Sequence, residues 1–455
     1  MTSHDRSTGS NQLVLRAAVL LVFALLFGGG GSGHPVAELA IEAVALTILA
    51  SLVLRPLPSR SPGAALPLVL LMLVAVLIVV QLVPLNPGCW RALPGRSLAA
   101  VIADRVGLSD RAYPISLDPA ATRRSLAALL PAAAMLTLVI HMDLRQRTLL
   151  ACIAIGCALA SLMLAVVQLV AAGAWGTIYP EGHVGYATGL FANRNHQAAF
   201  LLVATALTGA LPRSRSMGAF LPLSLAVALG AGVIATTSRA GLVLLPIALL
   251  PVLLRQWLVR WWWMVPLSGV AVIAAVSLAP HNTVIARVVE RLHSGNLERF
   301  RFWGDSWTAI TRSWPVGSGF GTFETIFRSV EPLDHVGLHY VNHAHNEYLE
   351  LMLEGGLPAM LLLLLAVVWA LRRCIAISRL GRDARRLAWA SAAGLLVLLL
   401  HSLVDYPTRI LAIQLLAAML AGFLTKPAPS LPMMGQSIPR FRASFLPLID
   451  KAGFR

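Results

Sequence analysis

Apolar residues come in long, nearly uncharged runs from Leu13 to Leu424, broken by short polar stretches. The runs are continuous rather than alternating, so they predict helices that cross a bilayer and not the strands of a barrel. Taken in order, they predict spans at 13–27, 36–54, 66–85, 126–142, 149–172, 196–211, 219–236, 240–254, 262–279, 348–371, 387–403 and 410–424. The expected fold is an all-α polytopic membrane protein of about 12 transmembrane helices, one every twenty residues or so of apolar chain. A single membrane domain, 1–425, is expected to hold all of them. Within it lies a long, partly helical outer loop, 280–346, between the ninth and tenth spans. Residues 426–455 form a tail.

Composition agrees with the pattern. The chain is 57% hydrophobic and 12% charged, about half the charged share of a soluble domain. The net charge of +16 does not indicate nucleic acid, because the arginines are scattered through loops between apolar runs. That distribution fixes orientation. With the N-terminus inside, the inner loops carry Arg55 and Arg60, Arg145 and Arg147, Arg213 and Arg215, Arg255 and Arg260, and the dense set from Arg372 to Arg386. Both termini are then cytoplasmic. The first run lacks a clear cleavage site and reads as a retained span. The four cysteines show no CxxC pair, so neither a disulfide framework nor a cysteine zinc site is indicated.

This orientation sends the polar segments 175–195, 237–239, 280–346 and 405–409 to one face. The richest of them runs into the tenth span as VNHAHNEYLELMLEGGL, residues 341–357. Two histidines, His343 and His345, precede the helix, and Glu347, Glu350 and Glu354 ride on its first turns. Acids at the head of a membrane helix are costly and point to function. His345 sits where the helix meets the membrane, and a neutral imidazole there can take a proton from a hydroxyl. His343 and His339 read as ordinary loop polarity. The spacing of His335, His339 and His343 leaves zinc as an alternative, without an HExxH to support it.

Other polar groups punctuate the runs. In TTSRAG, Ser238 can cap the following helix and Arg239 would lie in its first turn, a good anion site. The competing reading is an arginine snorkelling to the interface. In LERFRFWGDSW, Arg301 and Asp305 are spaced to pair on a helix, which leaves Arg299 as the freer cation. The whole segment also reads as an amphipathic helix on the membrane surface. PVGSGFGTF lacks the lysine of a phosphate loop and reads as a turn between two outer helices. In GLFANRNHQAA, Asn195 and His196 could cap a helix or bind sugar hydroxyls. Glu38 and Glu42 need a basic partner or a proton. So does Asp405, for which Arg409 is the local candidate.

These segments, with SLDPAATRRSL, HNEYLELMLEGGLP and HSLVDYP, resemble in order and placement the bacterial O-antigen ligase and polymerase superfamily of integral membrane glycosyltransferases. One family glycine is replaced by Ala359. The resemblance implies a GT-C-type fold in the inner membrane and an active site facing the periplasm. Its donor would be an undecaprenyl-diphosphate-linked glycan, and its acceptor either lipid A-core or a second lipid-linked glycan. By the same resemblance Arg239 and Arg299 hold the diphosphate and His345 activates the acceptor hydroxyl. Arg301, Asn195, His196, Asn346 and Asp405 are supporting or glycan-binding positions. No cofactor and no metal is implied. Ligase and polymerase differ only in acceptor. A transporter or flippase of lipid-linked sugar is the alternative of another class, though neither midplane charges nor an internal repeat is evident.

Overall fold

The structure is a computed structural model, and it describes residues 3–30, 34–54, 63–211, 220–257, 297–336 and 340–428. Over these residues the chain is predominantly helical. A small antiparallel ribbon pairs Pro84–Leu85 with Tyr113–Pro114. The first helices are α1 (Ser3–Phe27), α2 (Pro35–Val53) and α3 (Ala65–Gln81), then the short α4 (Pro87–Arg91) and α5 (Ser97–Arg105). Next come α6 (Pro119–Ala127), α7 (Leu129–Ile140), α8 (Leu144–Val170), α9 (Arg194–Thr208), α10 (Phe220–Ala235) and α11 (Arg239–Trp257). After 258–296 follow α12 (Leu297–Ser313), α13 (Phe323–Phe327), α14 (Glu347–Ala376), α15 (Arg382–His401) and α16 (Leu411–Leu424). The expected span at 262–279 lies outside the described residues. The other expected spans each coincide with a helix. Five stretches are long and apolar enough to cross a membrane: Pro35–Val53, Pro119–Ile140, Leu144–Val170, Glu347–Ala376 and Arg382–His401. The protein is thus a helical, multi-pass membrane protein.

The apolar runs do not all face lipid. Every residue of α9 except Asn195 is buried. It is the central helix, wrapped by α8, α10, α11 and α15. Small residues let its neighbours approach. A Cβ on Gly232 of α10 would press on Leu162 and Leu201, and one on Gly241 of α11 would meet Ala198 at 3.0 Å. That last contact sets the start of α11 beside the second turn of α9.

The arginines at the opposite end of the bundle do more than set orientation. Arg147 donates to the carbonyls of Met142, Gly422 and Thr425, at 3.1, 3.1 and 2.8 Å. Arg373 donates to the Leu424 carbonyl at 2.9 Å, and Arg255 to that of Leu211 at 2.5 Å. These are carbonyls at or just beyond the C-terminal ends of α7, α9 and α16. Such groups have no partner inside their own helix, and a cation suits the negative end of the dipole.

The tenth expected span is broken. Gly356 (φ 59°, ψ −154°) interrupts α14 and separates the turns carrying Glu347, Glu350 and Glu354 from the apolar remainder. The glycine-rich segment 315–323 docks on this break. Leu357 donates its N–H to the Pro315 carbonyl at 2.9 Å, while Ser318 and Gly319 donate theirs to the carbonyls of Leu353 and Glu354 at 2.8 and 3.0 Å. Gln81 ties the same place to α3, donating to Glu354 O and accepting from Phe320 N. The segment joins α12 to α13 as its composition predicts, and it also supplies the partners that the interrupted helix lacks.

Only glycine fits at the break, since a Cβ on Gly356 would fall on the Pro315 carbonyl oxygen and the backbone is already left-handed. Gly356→Ala is therefore expected to destabilise the protein by more than about 1 kcal/mol. Gly156→Ala, in α8 with open space around it, is expected to be neutral or stabilising by up to about 1 kcal/mol. Thermal unfolding of both variants in detergent checks the contrast, and equal midpoints would refute it.

Candidate active site

Three segments distant in sequence meet at one end of the bundle: the head of α14, the 402–410 connection between α15 and α16, and the start of α9. Asp405 is the point of contact. Its Oδ1 accepts from His345 Nδ1 at 3.1 Å and from its neighbour's N–H, Tyr406 N, at 3.0 Å. Its Oδ2 accepts from Asn195 Nδ2 at 2.6 Å. Asn195 does not cap α9, because Asn193 performs that task by accepting from Asn195 N at 2.9 Å. The side chain of Asn195 is thereby released to hold the carboxylate.

Asp405 is buried, with 1% of its side chain exposed. Burial alone would raise its pKa. The hydrogen bond from His345, with His196 and His401 also close, holds the carboxyl well below the usual carboxylate range. An ionised carboxylate only accepts, so Nδ1 of His345 carries the hydrogen and Nε2 carries the lone pair. The imidazole keeps 24% of its surface exposed, so a substrate can reach it.

The backbone at His345 is left-handed, with φ 50°. That conformation is uncommon outside glycine and costs about 1–3 kcal/mol unless its surroundings impose it. Here both flanks are tied down. Ala344 donates its N–H to Glu350 Oε1 at 2.8 Å and its carbonyl accepts from Trp303 Nε1 at 3.0 Å. Asn346 caps α14, its side-chain oxygen accepting from the N–H groups of Tyr348 and Leu349 at 3.0 and 3.3 Å. Asn346 is thus a cap that orients its neighbour.

The three acids of α14 hold the site together. Glu354 pairs with Arg409 at 2.7 Å and Glu350 with the same guanidinium at 3.5 Å. Glu350 also accepts from His343 Nδ1 at 3.0 Å. Glu347 accepts from the N–H and hydroxyl of Thr408, at 2.6 and 2.5 Å, and from the Ser402 hydroxyl at 2.8 Å. Burial opposes the charge on Arg409, yet Glu354, Glu350 and Glu347 outweigh it and raise its pKa. The expectation that Arg409 answers Asp405 is corrected: it answers the helix acids, and His345 and Asn195 answer Asp405.

The cations arrive from elsewhere. Arg299, in the first turn of α12, donates to the Val404 carbonyl at 2.7 Å, one residue from Asp405. Arg301 is exposed and does not pair with Asp305, whose carboxylate takes His335 at 2.8 Å instead. Arg239 opens α11, and Ser238 accepts from Gly241 N at 3.2 Å as its cap. Thr237, at φ 54°, makes the turn that joins α10 to α11 without a loop. This is a strained position for a β-branched residue. The start of α11 lies one turn along α9 from Asn195, through the Gly241–Ala198 approach.

Tyr406 is a residue the sequence reading missed. Its ring stacks on His343 with centroids 4.0 Å apart, stands 5.1 Å from His345, and meets His196 edge-on at 4.9 Å. Burial, with Asp405 and Glu350 nearby, raises its phenol and keeps it neutral. The only hint in the sequence was its place directly after Asp405. His196 and His401 are both buried against this group, and none of their ring nitrogens finds a hydrogen-bond partner. His343, expected to be loop polarity, is built into the site. Among the described residues, no group of three His, Cys, Asp or Glu side chains is arranged to hold a metal ion. His339 lies outside the described residues.

Residues 224–364 match the family model described as O-antigen ligase. This match supports the O-antigen ligase and polymerase superfamily for the chain. The match contains Arg239, Arg299, Arg301, His345 and Asn346, whereas Asn195, His196 and Asp405 lie outside it. No curated protein matches the chain. The match supports a ligase- or polymerase-type enzyme in general and suggests lipid-linked glycan substrates in a membrane environment.

Removing Arg409 would leave two buried carboxylates, Glu350 and Glu354, without their cation. Arg409→Ala is expected to cost about 3–5 kcal/mol of stability. Adding Glu354→Gln to that variant is expected to restore part of the loss. Thermal unfolding of the single and double variants measures both, and additive losses would refute the pairing.

Proposed function

We propose that the chain is an O-antigen ligase-like glycosyltransferase. It moves glycan from undecaprenyl diphosphate to a lipid A-core acceptor on the periplasmic face of the inner membrane, without a metal and with inversion. The proposal includes a GT-C-type domain of about 12 spans, counting 262–279, with both termini cytoplasmic. The observation that carries the mechanism is the His345–Asp405–Asn195 chain of hydrogen bonds, which leaves Nε2 of a partly exposed imidazole to face a substrate.

In this reading the acceptor oxygen attacks the anomeric carbon as the bond from that carbon to the diphosphate oxygen breaks. His345 Nε2 takes the hydroxyl proton, and Asp405 stabilises the resulting imidazolium. Negative charge grows on the departing undecaprenyl diphosphate. Arg239 and Arg299 meet it with guanidinium groups, which supply fixed positive charge and forked donors. Base and leaving group lie on opposite sides of the anomeric carbon, which gives inversion. The energy is stored in the donor, so no nucleotide takes part. Arg301, exposed on the same helix as Arg299, serves the glycan or the lipid headgroups.

The test is transfer by purified protein given undecaprenyl-diphosphate glycan and either lipid A-core or further donor. Product on the core supports the ligase, and a lengthened donor would make the chain a polymerase. His345→Ala is expected to lower kcat by about 10²–10⁴-fold with the protein still folded. Asp405→Asn is expected to lower it too, because an amide no longer demands the hydrogen on Nδ1. Arg239→Ala and Arg299→Ala are expected to abolish transfer, and activity is expected to survive EDTA. Robust turnover by His345→Ala would remove it as the base.

A further inference from the structure

Two of the acidic and basic motifs remain without a task. Glu38, one turn into α2, lies in a candidate membrane span, where an acid is costly. Arg124, from the SLDPAATRRSL segment, lies on α6 beside it. Both line a cavity of about 180 Å³ at the site end of the bundle. They do not form an ion pair with one another. His34, Ser125 and the wall of the catalytic cluster, His343 and Arg409, complete the polar lining. Phe27, Ile410 and Leu411 form an apolar ledge on another side.

This lining selects its ligand. A bare anion would meet Glu38, and a bare cation would meet Arg124. An acyl chain would leave both charges desolvated, with no hydrogen bond in place of water and only their mutual attraction to offset the cost. A pyranose ring satisfies all of it. Adjacent hydroxyls can donate to the carboxylate and accept from the guanidinium, the imidazole and the Ser125 hydroxyl, and the ring's C–H face covers the apolar ledge. The volume suits one sugar residue rather than an extended chain.

The position of the cavity says which sugar. None of its lining belongs to α11 or α12, which carry Arg239 and Arg299. His343 forms one wall and stacks on Tyr406, whose ring also adjoins His345. The cavity therefore lies about one sugar ring from the base, across Tyr406 and His343, and neither Arg239 nor Arg299 lines it. We infer that it is the acceptor subsite, holding a hydroxyl-rich pyranosyl residue of the acceptor glycan next to the one whose hydroxyl reacts. Glu38 and Arg124 are its principal contacts. The inference rests on His345 being the base of a glycosyl transfer, but not on whether the acceptor is lipid A-core.

The full chain in nanodiscs tests it with two variants, Glu38→Gln and Arg124→Gln. Each is expected to raise the KM for the acceptor by about ten-fold or more, the loss of one charged hydrogen bond. The kcat and the KM for the lipid-linked donor are expected to stay within about two-fold, below the effect of a single such bond. In parallel, saturation-transfer NMR with lipid-free core oligosaccharide is expected to show contact with the wild type and its loss in Glu38→Gln. An unchanged acceptor KM, a fall in kcat alone, or a raised donor KM would each overturn the assignment. Should transfer occur only to a second lipid-linked glycan, the ligase reading fails while the KM for that acceptor tests the cavity as before. Ser125→Ala removes a single hydroxyl and keeps the test open if a charge variant unfolds.

Discussion

A carboxylate removed from water must be hydrogen-bonded on both oxygens or give up its charge. Asp405 meets that demand by drawing donors from two other parts of the chain, an imidazole at the head of α14 and an amide at the start of α9. Much else follows from this. The imidazole is fixed in one tautomer, its outer nitrogen is presented to the surface, and the left-handed backbone at His345 is held. The central helix α9 is anchored at the one position where it is not buried.

A second network makes the first possible. The 402–410 connection has to be rigid for Asp405 to act as a fixed point. Rigidity comes from the acids of α14: Glu347 on Thr408 and Ser402, Glu350 and Glu354 on Arg409. Three carboxylates around one guanidinium would repel one another if all were fully desolvated without help. Glu347 is satisfied by neutral donors instead, and Glu354 takes one further bond from Phe323 N. The helix break at Gly356 belongs to the same design, because it lets this acid-bearing head turn away from the apolar remainder that follows.

The arginines of the chain have three separate physical uses. Arg147, Arg255 and Arg373 satisfy carbonyls at helix ends far from the site. Arg409 neutralises buried acids. Arg239 and Arg299 stand in the first turns of α11 and α12, where the backbone dipole disfavours a cation and a bound anion would relieve the repulsion. Sequence position alone did not separate these uses. All are arginines at the edges of apolar runs.

Periodicity and composition determined the architecture, because a bilayer admits few solutions and each helix satisfies its backbone within its own run. Local grammar was equally legible: Ser238 capping α11, the glycine-rich turn at 315–323, and the histidine at the head of α14. Which polar group answers which was not legible. Arg409 lies four residues from Asp405 yet pairs with acids 55 and 59 residues away, and Arg301 lies one turn from Asp305 yet does not pair with it. Tyr406 and the built-in role of His343 were invisible for the same reason. In a buried site the partner is chosen by what the fold brings within about 3 Å, since an unmet charge there costs far more than a local pair on a solvated surface returns. The sequence supplied the groups and the membrane's constraint on the helices; the packing of α9, α14 and the 402–410 connection decided how those groups are combined.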